Sequence, residues 1–191
     1  PTVPHLYCGR TAYVRDDLKP YMYSPEFVLP RTFRNALVQC IAGANTMVFN
    51  QFTKIMLEQI GMVPTPSHDW WLYQIVTGAG GVVHYENKAL ILYRQHLNNL
   101  VGANYSIFAK IKRVKKLFDG RFKFYTDRNI ECLDSARLFL NESSIEILTL
   151  FKIMRNAKMK DRIRIIEVCG LYRQTWQGTL SLIFAAIFRK I

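Results

Sequence analysis

No apolar run in this chain approaches the roughly 20 residues needed to cross a bilayer. The longest, Leu180 to Phe188, is short and is interrupted by Ser181. Such a segment can bury against protein or lie in an interface, but it cannot span. Paired cysteines are also missing: Cys8, Cys40, Cys132 and Cys169 lie far apart and form no C-x-x-C unit. That spacing excludes a disulfide scaffold and a cysteine metal site, and it suggests core thiols in a reducing compartment. There is no G-x-S-x-G elbow, no H-E-x-x-H pair and no Walker-type lysine loop, which removes the common hydrolase, zinc-protease and P-loop readings. No charged-then-apolar leader opens the chain, which begins Pro-Thr-Val-Pro, so targeting information is expected to be absent or removed.

Acid is the scarcer charge, with 14 Asp plus Glu against 26 Lys plus Arg. The imbalance is local. Residues 1–104 hold 8 basic and 6 acidic side chains, whereas residues 105–191 hold 18 and 8. A nearly neutral first part followed by a strongly basic second part points to a polyanionic partner for the latter, nucleic acid or an anionic membrane face. A merely solvated helical surface is the plainer alternative. With half its residues apolar, the chain is expected to fold.

Residues 5–14, HLYCGRTAYV, read as a strand bent at Gly9, with Asp16-Asp17 as the following turn. Tyr21 to Arg31 is aromatic and proline-punctuated and reads as a surface loop. A short helix is expected after Thr32, then a buried strand over Thr46–Phe49, then a helix over Gln51–Ile60 capped by Asn50. Ser67 or Asp69 is the expected N-cap of a helix from Trp70 to about Thr77, stopped by the glycines after it. Two strands follow, Val82–Tyr85 and Ala89–Tyr93, with a turn around Glu86-Asn87-Lys88. The order is that of an α/β layer with a mixed sheet. Within Ser67–Gly102 two polar clusters, His68-Asp69 and Arg94-Gln95-His96, stand in apolar, aromatic surroundings where unpaired polar groups are costly.

Those clusters carry a family resemblance. His68-Asp69-Trp70-Trp71, Val83-x-Tyr85, Leu92-Tyr93-Arg94-Gln95-His96 and Asn98-Asn99-x-Val101-Gly102-Ala103, preceded by Gly43-x-Asn45-Thr46-Met47-Val48-Phe49-Asn50, resemble the C-terminal half of family 2 glycosyltransferases. The likeness is nearest to rhamnosyltransferase-like members that build surface polysaccharides. It implies a partial GT-A-type mixed sheet with flanking helices over residues 1–104, the acceptor-side part of the enzyme, followed by a basic helical region over residues 105–191. The family's nucleotide-sugar half and its D-x-D-type acidic motif have no counterpart here, so the chain is expected to be a C-terminal fragment of a longer enzyme, inactive alone.

Inverting sugar transfer needs a base beside the acceptor hydroxyl and positive charge near the departing diphosphate. By resemblance, Asp69 is that base. A helix N-terminus favours its ionised form, although an Asp there also serves simply as a cap. His68 then orients Asp69, contacts the acceptor or satisfies a loop carbonyl. Of Trp70 and Trp71, which point to different sides of a helix, one is expected in the core and the other against a sugar or base. Asn45 and Thr46 sit in a turn expected to approach substrate. Arg94 and Gln95 are expected to line the donor site, and His96 to bind phosphate or complete the shell of a divalent metal, Mg or Mn.

Beyond Asn104 the pattern is helical. Ile107, Phe108, Ile111, Val114 and Phe118 form one stripe and lysines and Arg113 the other face, as in a helix on an anionic membrane. Ser143-x-x-Glu146 reads as a capping box, and Gly170 as the end of a helix begun near Asp161. Expected partners are a nucleotide-diphosphate sugar, a saccharide or lipid-linked glycan acceptor, and the cytoplasmic face of a membrane; nucleic acid is disfavoured. The alternative is a non-catalytic binding module for a membrane surface or nucleic acid.

Overall fold

The computed structural model describes residues 2–94 and 120–191. Among these, four strands form one mixed sheet around which seven α-helices pack. Strand β1 (His5–Val14) is central. On one edge it pairs in parallel with β4 (Val82–Arg94). Its other edge is shared end to end by β3 (Val48–Phe49), antiparallel at Leu6 and Tyr7, and β2 (Pro20–Tyr23), antiparallel at Ala12 to Val14. Leu6, Cys8, Ala12 and Val14 are all buried, the period-2 face of a strand covered by helices.

Three expectations are corrected here. The stretch read as a loop contains β2, whose pairing partner lies across the Asp16-Asp17 turn; Pro20 stands at its first residue, where a missing N–H is tolerated on an edge. The strand at Thr46–Phe49 shrinks to Val48–Phe49, and both side chains are exposed rather than buried. The two strands after the glycines are one, β4. Between the pairs Gly9↔Glu86 and Thr11↔Ile91, β4 holds four residues against one on β1, so the expected turn is a bulge. Gly9 is needed at this close approach, since a Cβ there would meet the Glu86 carbonyl oxygen at 3.0 Å.

The helices on the sheet are α1 (Phe33–Ala36), α2 (Gln51–Ile60) and α3 (His68–Gly78). Asn50 caps α2 as expected, its side chain accepting the Thr53 N–H at 3.0 Å. Helix α3 is apolar nearly all round, with Trp70 through Gly78 buried, which marks a core helix. It turns tightly into β4 through Gly80 and Gly81. A Cβ on Gly81 would lie 2.5 Å from the Pro4 carbonyl oxygen, so this position admits only glycine.

The C-terminal region is helical: α4 (Arg121–Ser135), α5 (Glu142–Asn156), α6 (Met159–Cys169) and α7 (Trp176–Ile187). The expected capping box is displaced. Asn141 caps α5, accepting the Ser144 N–H at 2.8 Å, two residues upstream of Ser143. Gly170 ends α6 in the left-handed conformation, φ 59°, as glycine does best. These helices share one continuous core with the sheet layer. Trp70 stacks with both Phe122 and Tyr125 of α4. Gln174 bonds the backbone of Leu29, Pro30 and, through its own N–H, the Gln39 side chain. The change in charge at residue 104 is therefore not a break in packing.

Arg162 is the unusual member of this core. It is 3% exposed, and no carboxylate pairs with it among the described residues. Its guanidinium donates instead to the carbonyls of Ala157, Ala186 and Ile187. A cation is well placed among these orphan carbonyls at helix C-termini.

Candidate active site

The site is built at the N-terminus of α3. Because α3 and β4 are joined by a tight glycine turn, the helix runs back along the strand. Its first turn therefore lies toward the C-terminal ends of the parallel pair β1–β4, where ligands bind in open α/β sheets. Asp69 stands nine residues before Gly78, about 14 Å along a helix; Glu86 stands four residues after Val82, about 13 Å along a strand. Asp69 is thus level with Gly9, Glu86 and the bulge.

The Asp69 carboxylate is held by one oxygen. Its Oδ1 accepts from the Ser67 hydroxyl and from the Trp70 backbone N–H, the latter at 2.8 Å. Its Oδ2 accepts from no described residue. Ser67 occupies the N-cap position, but its hydroxyl goes to Asp69 rather than to a helix N–H. Thr65 fixes Ser67 in turn, donating to its carbonyl at 3.1 Å and accepting its N–H at 3.3 Å. Asp69 is half-buried and His68 exposed. Beside them, the Cys40 thiol donates to the Ala42 carbonyl at 3.2 Å. Burial, and after it the Asp69 charge, push that thiol well above its usual range. Cys40 is an inert wall of the site, not a nucleophile.

The other anticipated residues are distributed as follows. Trp70 and Trp71 are both buried, and the Trp70 indole N–H donates to the Ala36 carbonyl at 2.6 Å. The expectation that one of them turns outward toward a sugar is therefore corrected: both rings are committed to the core. Asn45 and Thr46 form a 3-10 turn, Ala44–Thr46. The Thr46 hydroxyl accepts the Gly9 N–H at 3.1 Å and donates to the Gly43 carbonyl at 2.8 Å, tying this turn to the bulge, while Asn45 is exposed. Arg94 pairs with Val14, five residues past Gly9 and about 16 Å farther along β1. Gln95, His96, Asn98 and Asn99 lie outside the described residues, as does the stripe from Ile107 to Phe118.

Two cations that the sequence reading passed over are closer to the bulge. The Arg10 Nε donates to the Ser24 carbonyl at 2.9 Å, its Nη1 reaches the Asn87 carbonyl at 3.5 Å, and it stands over the Tyr23 ring. Arg31 donates to the Phe27 carbonyl at 2.9 Å and stands over the Tyr85 ring at 5.9 Å. Between them, the Tyr85 hydroxyl donates to the Pro25 carbonyl at 2.9 Å. Burial pushes its phenol up to about 12, with Arg10 and Arg31 opposing. Burial likewise pushes the Cys8 thiol up to about 12 against the Arg31 charge. No local motif announces this pair; Arg10 follows the bend glycine and Arg31 precedes α1, and only packing brings them to one phenol.

Among the described residues no group of three or more His, Cys, Asp or Glu is placed to hold a metal ion. His96, the residue of this chain that the resemblance assigns to a metal, lies outside the described residues. A separate cavity of about 390 Å³ lies in the helical region, lined by Lys123, Asp127, Arg155, Asn156, Arg189 and Ile191. Its one carboxylate side chain is already occupied, Asp127 being paired with Lys123 at 2.8 Å and with Arg155.

Comparison with known proteins gives the chain a glycosyltransferase relationship over a limited stretch. The relative is the dTDP-rhamnosyl transferase RfbG of Shigella flexneri, 47% identical over 47 residues. That stretch is 25% of this chain and 16% of the relative, so the match spans about a sixth of the relative's length. No family model matches the chain, and no solved structure matches it.

Proposed function

We propose that the chain is the acceptor-side part of a family 2, GT-A-type glycosyltransferase. In this reading it moves a sugar, with inversion, from a nucleotide-diphosphate donor to a saccharide or lipid-linked acceptor in surface polysaccharide synthesis. The donor-binding half, and any metal it carries, lie in sequence other than this chain, which alone does not turn over. The observation that carries the reading is the Asp69 carboxylate: fixed through Oδ1, open at Oδ2, and seated in the first turn of α3. The match to a rhamnosyl transferase supports it.

The chemistry follows from that geometry. Oδ2 takes the proton of the acceptor hydroxyl as its oxygen bonds to the anomeric carbon. The bond from that carbon to the diphosphate oxygen breaks from the opposite side, and the electron pair leaves with the diphosphate. The two donors on Oδ1 keep the carboxylate aimed until the proton moves. Arg10 and Arg31, at the level of the bulge, and Arg94 beyond it supply positive charge on the side where negative charge grows. The enzyme works at the cytoplasmic face of the membrane that bears its acceptor.

Asp69→Asn, made in the full-length enzyme, tests this. With dTDP-rhamnose as donor, transfer should fall by about 10²- to 10⁴-fold, the range for loss of a general base, while folding and donor binding are kept. Turnover near the parent's would remove Asp69 from the role. A non-catalytic basic module is the second reading, favoured by the 13 basic against 7 acidic side chains of residues 120–191. Salt-dependent polynucleotide binding by the chain, without transfer by any longer form, would establish it instead.

A further inference from the structure

Helix α7 presents an apolar face to solvent. Trp176, Leu180 and Phe184 recur every four residues and so line one face, and they are 70%, 45% and 57% exposed. Phe188, just past the helix, continues the line and is also exposed. The opposite face, Leu182, Ala185 and Ala186, is buried. Exposed apolar residues scattered singly need no explanation, but a continuous apolar stripe marks a contact surface.

Charge is gathered at one end of the stripe. Arg162 of α6 bonds the carbonyls of Ala186 and Ile187, so the start of α6 is pinned against the end of α7. Lys158 and Lys160, both exposed, and Arg164 one turn on therefore stand near Arg189 and Lys190, with Asp161 among them and Asp127, paired with Lys123 and Arg155, lining the same cavity as Arg189. The Arg189 charge is close enough to depress the Arg162 proton affinity, after burial.

We propose that this face of α7 docks onto an anionic lipid surface, lying in the interface with Trp176, Leu180 and Phe184 in the headgroup–acyl boundary and the basic end against lipid phosphates. Aromatic rings are suited to that boundary and basic residues to its charge. The helix lies on the bilayer and does not cross it, since no helix among the described residues is long and apolar enough to span. A second copy of the chain is the weaker occupant: four side chains in line fall well short of the roughly 20–30 residues per partner in a stable interface. The inference deepens the membrane contact proposed above and does not depend on transfer chemistry.

The chain carries its own reporter. Trp70 and Trp71 are buried and Trp176 is the exposed tryptophan, so a change in emission on adding vesicles reads α7. With vesicles of phosphatidylglycerol and phosphatidylcholine at low salt, the emission should shift to the blue and be quenched by brominated acyl chains. The double variant Leu180→Ser, Phe184→Ser retains Trp176 and should bind at least about 10-fold more weakly, from the apolar area withdrawn. Arg189→Glu with Lys190→Glu should abolish the preference over pure phosphatidylcholine. Absence of shift and of quenching at low salt would overturn the proposal. So would a shift that appears without vesicles and grows with protein concentration, which would assign the face to a second copy. Since no sugar transfer is read, failure here and failure of the transferase reading are told apart.

Discussion

Helices α3 and α7 are the two most apolar helices of the described structure, and they are used in opposite ways. In α3 the residues from Trp70 to Gly78 are buried, yet the helix carries Trp, Tyr, Gln and Thr donors into the interior with partners waiting, Gln74 Oε1 alone among these side chains' polar atoms being without one. The Tyr73 hydroxyl donates to Asn35 Oδ1 at 2.8 Å, the Gln74 Nε2 and Trp70 Nε1 both reach the Ala36 carbonyl, and the Thr77 hydroxyl returns to the Tyr73 carbonyl. In α7 the aromatic rings face solvent, Ser181 bonds back to Gln177 of the same helix, and Thr179 bonds the backbone of Arg173 in the loop just before it. Apolarity alone thus does not tell a core helix from a docking helix. The distinction lies in the buried Trp70, Tyr73 and Gln74 side chains, which donate to Ala36 and Asn35 on another segment, because only a fixed tertiary neighbourhood can repay their desolvation.

The comparison is broken most forcefully at Tyr73. Its ring is wholly buried, and Tyr73→Ala should cost about 3–5 kcal/mol, as for other large aromatic truncations. Tyr73→Phe should cost about 1–3 kcal/mol, because the shape is kept while Asn35 Oδ1 loses its donor in the interior. Denaturant unfolding of the two variants separates packing from hydrogen bonding. If Tyr73→Phe were neutral, the satisfied-polar-atom criterion for α3 would fail.

How much of this was legible in the sequence depends on whether the determinants were local. Strand β1, the Asn50 cap with its helix, α3, and the glycine end of α6 were readable because each is set by residues within a few positions. Strand β2, the continuity of β4 and the exposure of Val48 and Phe49 were not, since each depends on which strand β1 meets on which edge. The Asn141 cap was hidden behind Ser143-x-x-Glu146, an equally good local pattern two residues away. At the candidate site, the His68-Asp69 cluster stood out before an apolar helix, while the base role given to Asp69 came from the family resemblance alone. Its fastening to Ser67 and the convergence of Arg10 and Arg31 on Tyr85 were not, because these arise from loop geometry and packing between distant segments.

A cap offers a middle-sized check on that lesson. Asn50→Ala removes the acceptor for the Thr53 N–H and for the His5 N–H, the latter at 3.1 Å. The loss should be about 1 kcal/mol or somewhat more, since the same oxygen also ties β1 to α2. A thermal shift no larger than that of an exposed α2 variant such as Gln59→Ala would show the cap to be energetically idle.

Acid separates the two regions by a smaller amount. The hydroxyl of Tyr73 is buried neutral, its proton affinity raised by desolvation first, so α3's interior does not titrate on acidification. Asp127 differs: burial opposes its charge, but Lys123 and Arg155 hold its carboxyl below its ordinary value of 3.8. A depressed folded-state pKa means stability present above the unfolded value and lost as pH falls through the folded one. Unfolding measured from pH 5 down to pH 2 should show a loss below about pH 3.8 that Asp127→Asn lacks. The group is partly exposed, so the effect is modest and shrinks with salt.

The smallest effect on stability is expected at the stripe of α7. Phe184 is more than half exposed, and Phe184→Ser should change unfolding free energy by no more than about 0.5 kcal/mol, as surface substitutions do. Paired with the loss of vesicle binding predicted for Leu180→Ser, Phe184→Ser, this is the signature of a face held out of the core for a partner. A destabilisation of about 2 kcal/mol or more would instead mean that Phe184 contributes to the fold itself. The contrast with α3 would then be one of degree, two helices that both stabilise the core, and the docking role would have to be carried by the basic end alone.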